Sequence, residues 1–324
     1  IDRGATGTTE FGINNAAISF TGGNISLANN TNLSISTGNG TVGVVGIRAN
    51  SGETVGITTS GTITVGTGGI GSGNQINNVT LGSGTVDLSG DIVTDNNDGD
   101  VSITGALSLS QNATINTSAG DGDISIGTTV NGAKNLILTS GGGAITITGD
   151  VGTTAALANL TINAQDSETS SGKITINDIG ASGATNGGVV AAGALKVGND
   201  ATTEIEFTGA NYNTEGTQRY AVKASESDGS GNADGNGNFD ITQTAAFRTS
   251  GDTITFNTGT IDLDDTKDIS ITSVNGAISI AGGIRGTSSG NDVGEDVTID
   301  AGTSTLSIGP VSYTHLRAHE TDSH

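Results

Sequence analysis

All three histidines of this chain lie close to its C-terminus, in "VSYTHLRAHETDSH". His315 and His319 are four apart and Glu320 follows, so on a helix the two imidazoles would share a face and could hold a zinc ion. A second set with ligand chemistry is "SESDGSGNADGNGNFD", Ser225 to Asp240. A calcium loop needs oxygen ligands at alternating positions, a glycine at the sixth for a sharp turn and a bidentate carboxylate at the twelfth. Counted from Asn232, the series gives Asn232, Asp234, Asn236, then Gly237 sixth and Phe239 eighth, with Gln243 in the twelfth place. The expected ligands are Asn232, Asp234, Asn236 and Asp240, and without the closing Glu the affinity should be weak. The competing reading is a solvated Gly/Asn/Asp loop.

A third set is Asp262, Asp264 and Asp265 in "IDLDDTKD". Clustered carboxylates beside a Lys, an Arg or a cation are what polysaccharide hydrolysis or elimination requires. Asp262 alternates with Ile261 and Leu263, which puts it outside, and Asp264 with Asp265 opens a turn; a solvated edge is the expectation. Tyr212 and Tyr220, in "ANYNTEGTQRYAV", are expected to pack around an insertion, and an exposed pair would stack on sugar rings.

The elements that must position these residues are short and alike. Triplets such as "VSI", "ISI", "ITI", "ITF" and "IDL" alternate apolar and polar residues between Gly/Asn/Asp/Ser/Thr clusters, which marks very short half-buried strands and turns. No helical period of useful length occurs; Thr153–Leu160 comes nearest. Leading strands fall at Leu33, Val55, Val79, Val101, Ile124, Ile145, Ile174, Ile205, Ile254, Ile278 and Leu306, at steps mostly of 21 to 31 residues with one of 49. Two further strands start within many steps, as at Val130 and Leu136 after Ile124. Three strands per step describe one turn of a right-handed, three-sided parallel β-helix. About twelve such coils over residues 1–310, at about 4.8 Å each, would form a rod of about 55–60 Å. An insertion loop near 210–240 would account for the long step.

Composition agrees. Of 324 residues 54 are Gly, aromatics are 3%, and Cys, Met and Trp are absent. A solenoid interior only as wide as Ile, Val and Leu needs few large side chains, and its corners need glycine. The formal charge of −22 disfavours nucleic acid and anionic membranes as partners and leaves room for divalent cations. No cysteine means no disulfide frame and no thiolate metal site. No signal peptide or membrane-length apolar run is recognisable, so the chain reads as an internal fragment.

"GDISIGTTVNGAKNLILTSGGGAITITGDVGTTAALANLTI", Gly122 to Ile162, resembles the repeats of filamentous-haemagglutinin-like bacterial exoproteins, with units of the form G-D-I-x-I, V-x-G-A and x-L-x-L before a glycine turn. "NGAISIAGGIRG" and "EDVTIDAGTSTLSIGP" extend the likeness across most of residues 100–310. The resemblance implies a non-catalytic stalk or adhesive segment of a large secreted protein at the bacterial cell surface. Its partner would be a host or environmental surface, glycans included, with secretion and anchoring machinery acting on the whole protein. The alternatives are a polysaccharide-processing or polysaccharide-binding β-helix, which a row of acidic groups with a cation or Lys/Arg would favour, and an ice-binding face. The last would need a flat Thr array, and the expected outward column is Ser34, Gly56, Thr80, Ser102, Ser125, Thr146, Thr175, Glu206, Thr255 and Ser279. No cofactor is expected beyond weak calcium.

The tail departs from this vocabulary at Pro310, the only proline. "VSYTHLRAHET" resembles the in-frame translation of a transposase-type sequencing adapter. On that reading residues 311–324 are non-native and disordered, and the histidines bind no metal.

Overall fold

The structure is a computed structural model that describes residues 7–50, 52–73, 76–95, 97–163, 171–180, 188–189, 193–224, 237–286, 294–309 and 317–319. Every regular element among them is a strand, and the strands pair in parallel as a β-solenoid, about 11 turns in all. No helix of the described residues is long and apolar enough to cross a membrane. The chain divides into two compact units, Ile1–Gly149 and Asp150–His324.

In unit 1 one turn is made of Val101–Ile103, Ala106–Leu109 and Ala113–Asn116. Each strand pairs with its counterpart one turn on: Val101 with Ile124, Leu107 with Val130, Ala113 with Leu136. Three faces result because each turn bends twice before it returns to its starting register. Alternation then sorts the side chains. Ile124, Ile126, Ile145 and Ile147 are at most 1% exposed and stack turn on turn, while Ser125 and Thr146 point out. Along the same face Ser34, Gly56, Thr80, Ser102, Ser125 and Thr146 stand in one column, as the sequence suggests.

The G-D pair that opens these turns has a physical reason. The Asp side chain accepts a hydrogen bond from the backbone N–H of the turn above: Asp100 Oδ1 from Asp123 at 2.8 Å, Asp123 Oδ1 from Ala144 at 2.7 Å. Asn78 does the same for Asp100 at 2.8 Å. These N–H groups lie at exposed corners just before the strands, where the side-chain oxygen supplies a partner outside the ladder. The Gly beside them is required by close approach, since a Cβ on Gly122 would lie 2.2 Å from the carbonyl oxygen of Gly99.

In unit 2 the faces are Ile174–Ile176, Glu204–Phe207, Asn238–Ile241, Thr260–Leu263 and Ile284–Gly286; Asn211–Thr214, Ala245–Thr249, Ile269–Ser273 and Asp296–Asp300; and Ala194–Val197, Thr217–Ala221, Ile254–Asn257, Ile278–Ile280 and Leu306–Ile308. Two expectations change here. Residues 211–221 are not an insertion, because Asn211–Thr214 and Thr217–Ala221 are ladder strands in register with Ala246–Thr249 and Ile254–Asn257. The leading face after Ile205 continues at Phe239, Ile261 and Ile284, whereas Ile254, Ile278 and Leu306 belong to another face. Thr255 and Ser279 therefore leave the column of Glu206.

The core of unit 2 also differs from the aliphatic interior expected throughout. Phe207, Tyr212, Tyr220, Phe239, Phe247 and Phe256 are all fully buried. Tyr212 stacks on Phe247 with centroids 4.7 Å apart, and Tyr220 on Phe256 at 4.9 Å. Successive turns put aromatic on aromatic, so the ladder that aligns strands also aligns rings. The Tyr212 hydroxyl donates to Ile176 O at 3.1 Å and accepts from Gly209 N–H at 2.9 Å. Neither tyrosine is available to a glycan, and burial pushes both phenols above their ordinary pKa.

At the C-terminal end the structure places Arg317–His319 as a short strand parallel to Asp296–Asp300. The rest of the tail expected to be non-native and disordered, residues 311–316 and 320–324, lies outside the described residues. His315, Glu320 and His324 lie outside the described residues.

Candidate functional site

The most concentrated charge among the described residues is on the outer face of unit 2. In Glu204–Phe207 the apolar Ile205 and Phe207 turn inward, which sends Glu204 and Glu206 outward. The same alternation in the next strands sends out Asp240, Asp262 and Arg285. Parallel register then aligns Thr175, Glu206, Asp240, Asp262 and Arg285 in one column, one residue per turn. Neighbouring turns are about 4.8 Å apart, so each charge stands directly over the next. Glu204 begins a second column beside the first, with Asn238 and Thr260.

Cations hold the ends. Lys173 Nζ lies 2.6 Å from Glu204 Oε1 and 3.0 Å from Glu206 Oε2. Thr175 Oγ1 donates to Glu206 Oε2 at 3.1 Å. At the other end Arg285 forks onto Asp262, Nη2 to Oδ2 at 2.6 Å and Nε to Oδ1 at 3.1 Å. Asp240 stands between and is hydrogen-bonded to Glu204, another carboxyl group.

Protonation follows from this layout. Burial pushes the Asp240 carboxyl up to about 7, helped by the charges of Glu204 and Asp262, by the hydrogen bond to Glu204 and by Asp264. Burial also raises Asp262 above the ordinary carboxylate value; Arg285 pulls the other way without cancelling it, and Asp264 adds to the rise. For Lys173 burial disfavours the ammonium, but Glu204 and Glu206 outweigh it and the pKa stays above its usual value. A carboxyl group of raised pKa set among other carboxyl groups is the arrangement from which an acid–base pair is built.

Asp262 was expected on a solvated edge. It is outward but only 5% exposed, and its partner is Arg285. Asp264 and Asp265 do lie exposed at the turn. Of the expected calcium ligands, Asn232, Asp234 and Asn236 lie outside the described residues. Asp240 is in a strand, with Glu204 and Asp262 for neighbours. No group of three or more His, Cys, Asp or Glu among the described residues is placed to hold a metal ion. Beside the ladder lies an open depression of about 340 Å³, lined by Ala224, Thr258, Gly259, Thr260, Ala281 and Gly282. Its walls carry only small side chains and two threonine hydroxyls, so it offers little grip.

Lys173, Glu204 and Arg285 were not anticipated as members of a site. The signal was present in "EIEF", "NFDI", "TIDL" and "IRG", where the residues between apolar positions are charged. It becomes visible only when these strands are placed on one face. Comparison of the chain with protein-family models, with curated proteins and with solved structures finds no match.

Proposed function

We propose that this chain is a non-catalytic structural segment of a large secreted bacterial surface protein, which holds adhesive regions at a distance or presents a weak repeated adhesive face. The observation that carries this reading is the register. Within each unit turn pairs with turn in parallel around a buried core, residue for residue in all but the Val42–Arg48 ladder, and the resemblance of Gly122–Ile162 to haemagglutinin-like repeats points the same way. Its partner would be a host or environmental surface, glycans included.

Pulling the chain between its ends in a force microscope tests this. A load-bearing solenoid should yield turn by turn, each release of 21 to 24 residues in unit 1 adding about 70–80 Å of chain. Collapse in one low-force step would count against a mechanical role.

A second reading has one observation in its favour. The carboxylates of Glu206, Asp240 and Asp262, with Lys173 and Arg285 at the ends, are the row that a polysaccharide-processing or polysaccharide-binding face would need. Release of reducing ends from acidic or neutral polysaccharides, lost in Asp240→Asn, would replace the structural reading with this one.

A further inference from the structure

We propose that Glu204 and Asp240 form a proton-dependent clasp between two turns of unit 2: the protonated Asp240 carboxyl, hydrogen-bonded to Glu204, ties Asn238–Ile241 to Glu204–Phe207, and loss of its proton loosens that face. This goes beyond the structural role and does not depend on it.

The geometry makes the proton necessary. Glu204 and Asp240 come from paired strands, and a hydrogen bond between two carboxyl groups needs one of them protonated. The charged groups facing Asp240 are Glu204 and Glu206 from one neighbouring turn, and Asp262 with Asp264 from the other. Of the two local cations, Lys173 pairs with Glu204 and Glu206 and Arg285 pairs with Asp262. Adding a negative charge at Asp240 therefore places it between like charges with no cation of its own among the described residues.

The sign follows from linkage. The ordinary value of the Asp240 carboxyl is 3.8 and in the fold it is about 7. The folded chain keeps the proton where the unfolded chain has lost it. The clasp's contribution is full below the lower value and falls away as pH rises through the upper one. The face should be tight in mild acid and looser in neutral to alkaline solution.

Amide hydrogen exchange on the full chain at pH 5 and pH 8, corrected for the intrinsic rate, reads this directly. The opening constant of Asn238–Ile241 should rise about tenfold or more, the equivalent of at least one pKa unit. Ile124–Ile126 in unit 1 should not change, and Asp240→Asn should flatten the response. A pH-independent opening constant in the native chain, or an undiminished step in Asp240→Asn, overturns the clasp. Should that variant fail to fold, carboxyl carbon NMR of the native chain decides. An Asp240 midpoint near 7 supports the proposal, and one below about 5 refutes it.

Discussion

Asp262 and Arg285 face outward from adjacent turns, one directly above the other, and are joined by two hydrogen bonds of 2.6 and 3.1 Å. Although they are on the outer face, the Asp262 side chain is 6% exposed and that of Arg285 21%. Removing the guanidinium leaves a buried carboxylate with its compensation gone. Arg285→Met should therefore cost about 3 kcal/mol in urea unfolding, well above the half kilocalorie or so typical of an exposed pair. The double change Arg285→Met with Asp262→Leu should recover most of the loss. A cost below about 0.5 kcal/mol for the single change would show that the pair behaves as a solvated one.

The inside–outside assignment in unit 1 makes a paired prediction. Ile145 is fully buried and Thr146, next to it, is on the outer face. Ile145→Asp would enclose an unpaired charge and should lower stability by at least about 4 kcal/mol. Thr146→Asp should stay within about 0.5 kcal/mol. Equal losses, measured by thermal or urea unfolding, would contradict the assignment.

Corner capping can be tested at Asp123. Its Oδ1 takes the N–H of Ala144, and it is held in turn through its own N–H by Asp100. Asp123→Ala removes the acceptor and should cost about 1 kcal/mol, while Asp123→Asn, which keeps a side-chain oxygen in place, should cost a few tenths. The same ordering is expected for Asp100. Identical losses for Ala and Asn would mean that the cap contributes through charge alone.

Glu295 makes a prediction in the stabilising direction. It is 0% exposed, and neither carboxyl oxygen has a hydrogen-bond partner among the described residues. One oxygen lies so near the backbone of Gly286 that a Cβ there would sit 2.5 Å from it. A buried carboxyl group without partners costs free energy that an apolar side chain of similar length does not. Glu295→Met should raise the unfolding free energy by about 1–2 kcal/mol. A loss instead would indicate that the carboxyl group meets a need these contacts do not reveal.

What the sequence disclosed and what it hid have one cause. Strand triplets such as Ile124–Ile126 carry their own inside–outside pattern, so the solenoid and the burial of Ile124 and Ile145 were legible from local alternation. Which triplet stacks on which is a non-local fact, fixed by counting residues around a turn. Between Ile174 and Phe239 the turns lengthen, and counting led from Ile205 to Ile254, past Phe239. That single misassignment placed Thr255 where Asp240 stands and left Arg285 without Asp262. The aromatic cluster was hidden for the same reason: Tyr212 and Phe247 are 35 positions apart in sequence and meet only through the pairing of their strands.

The unequal turns have a consequence for how such a chain can change. From Phe239 to Ile261 a turn takes 22 residues, yet from Ile205 to Phe239 it takes 34, and both pairings are in step residue for residue. The extra length shifts neither of these ladders, whereas in unit 1 the pairing of Val42–Arg48 with Thr62–Ile70 changes register between Val44 and Gly46. An insertion or deletion in a corner is thus a local edit that leaves every other turn's partner unchanged, whereas one inside a three-residue strand turns its side chains inside out. Heritable variation in length should accumulate at the corners, where each turn offers a separate site for acquiring new sequence without renegotiating the rest of the scaffold.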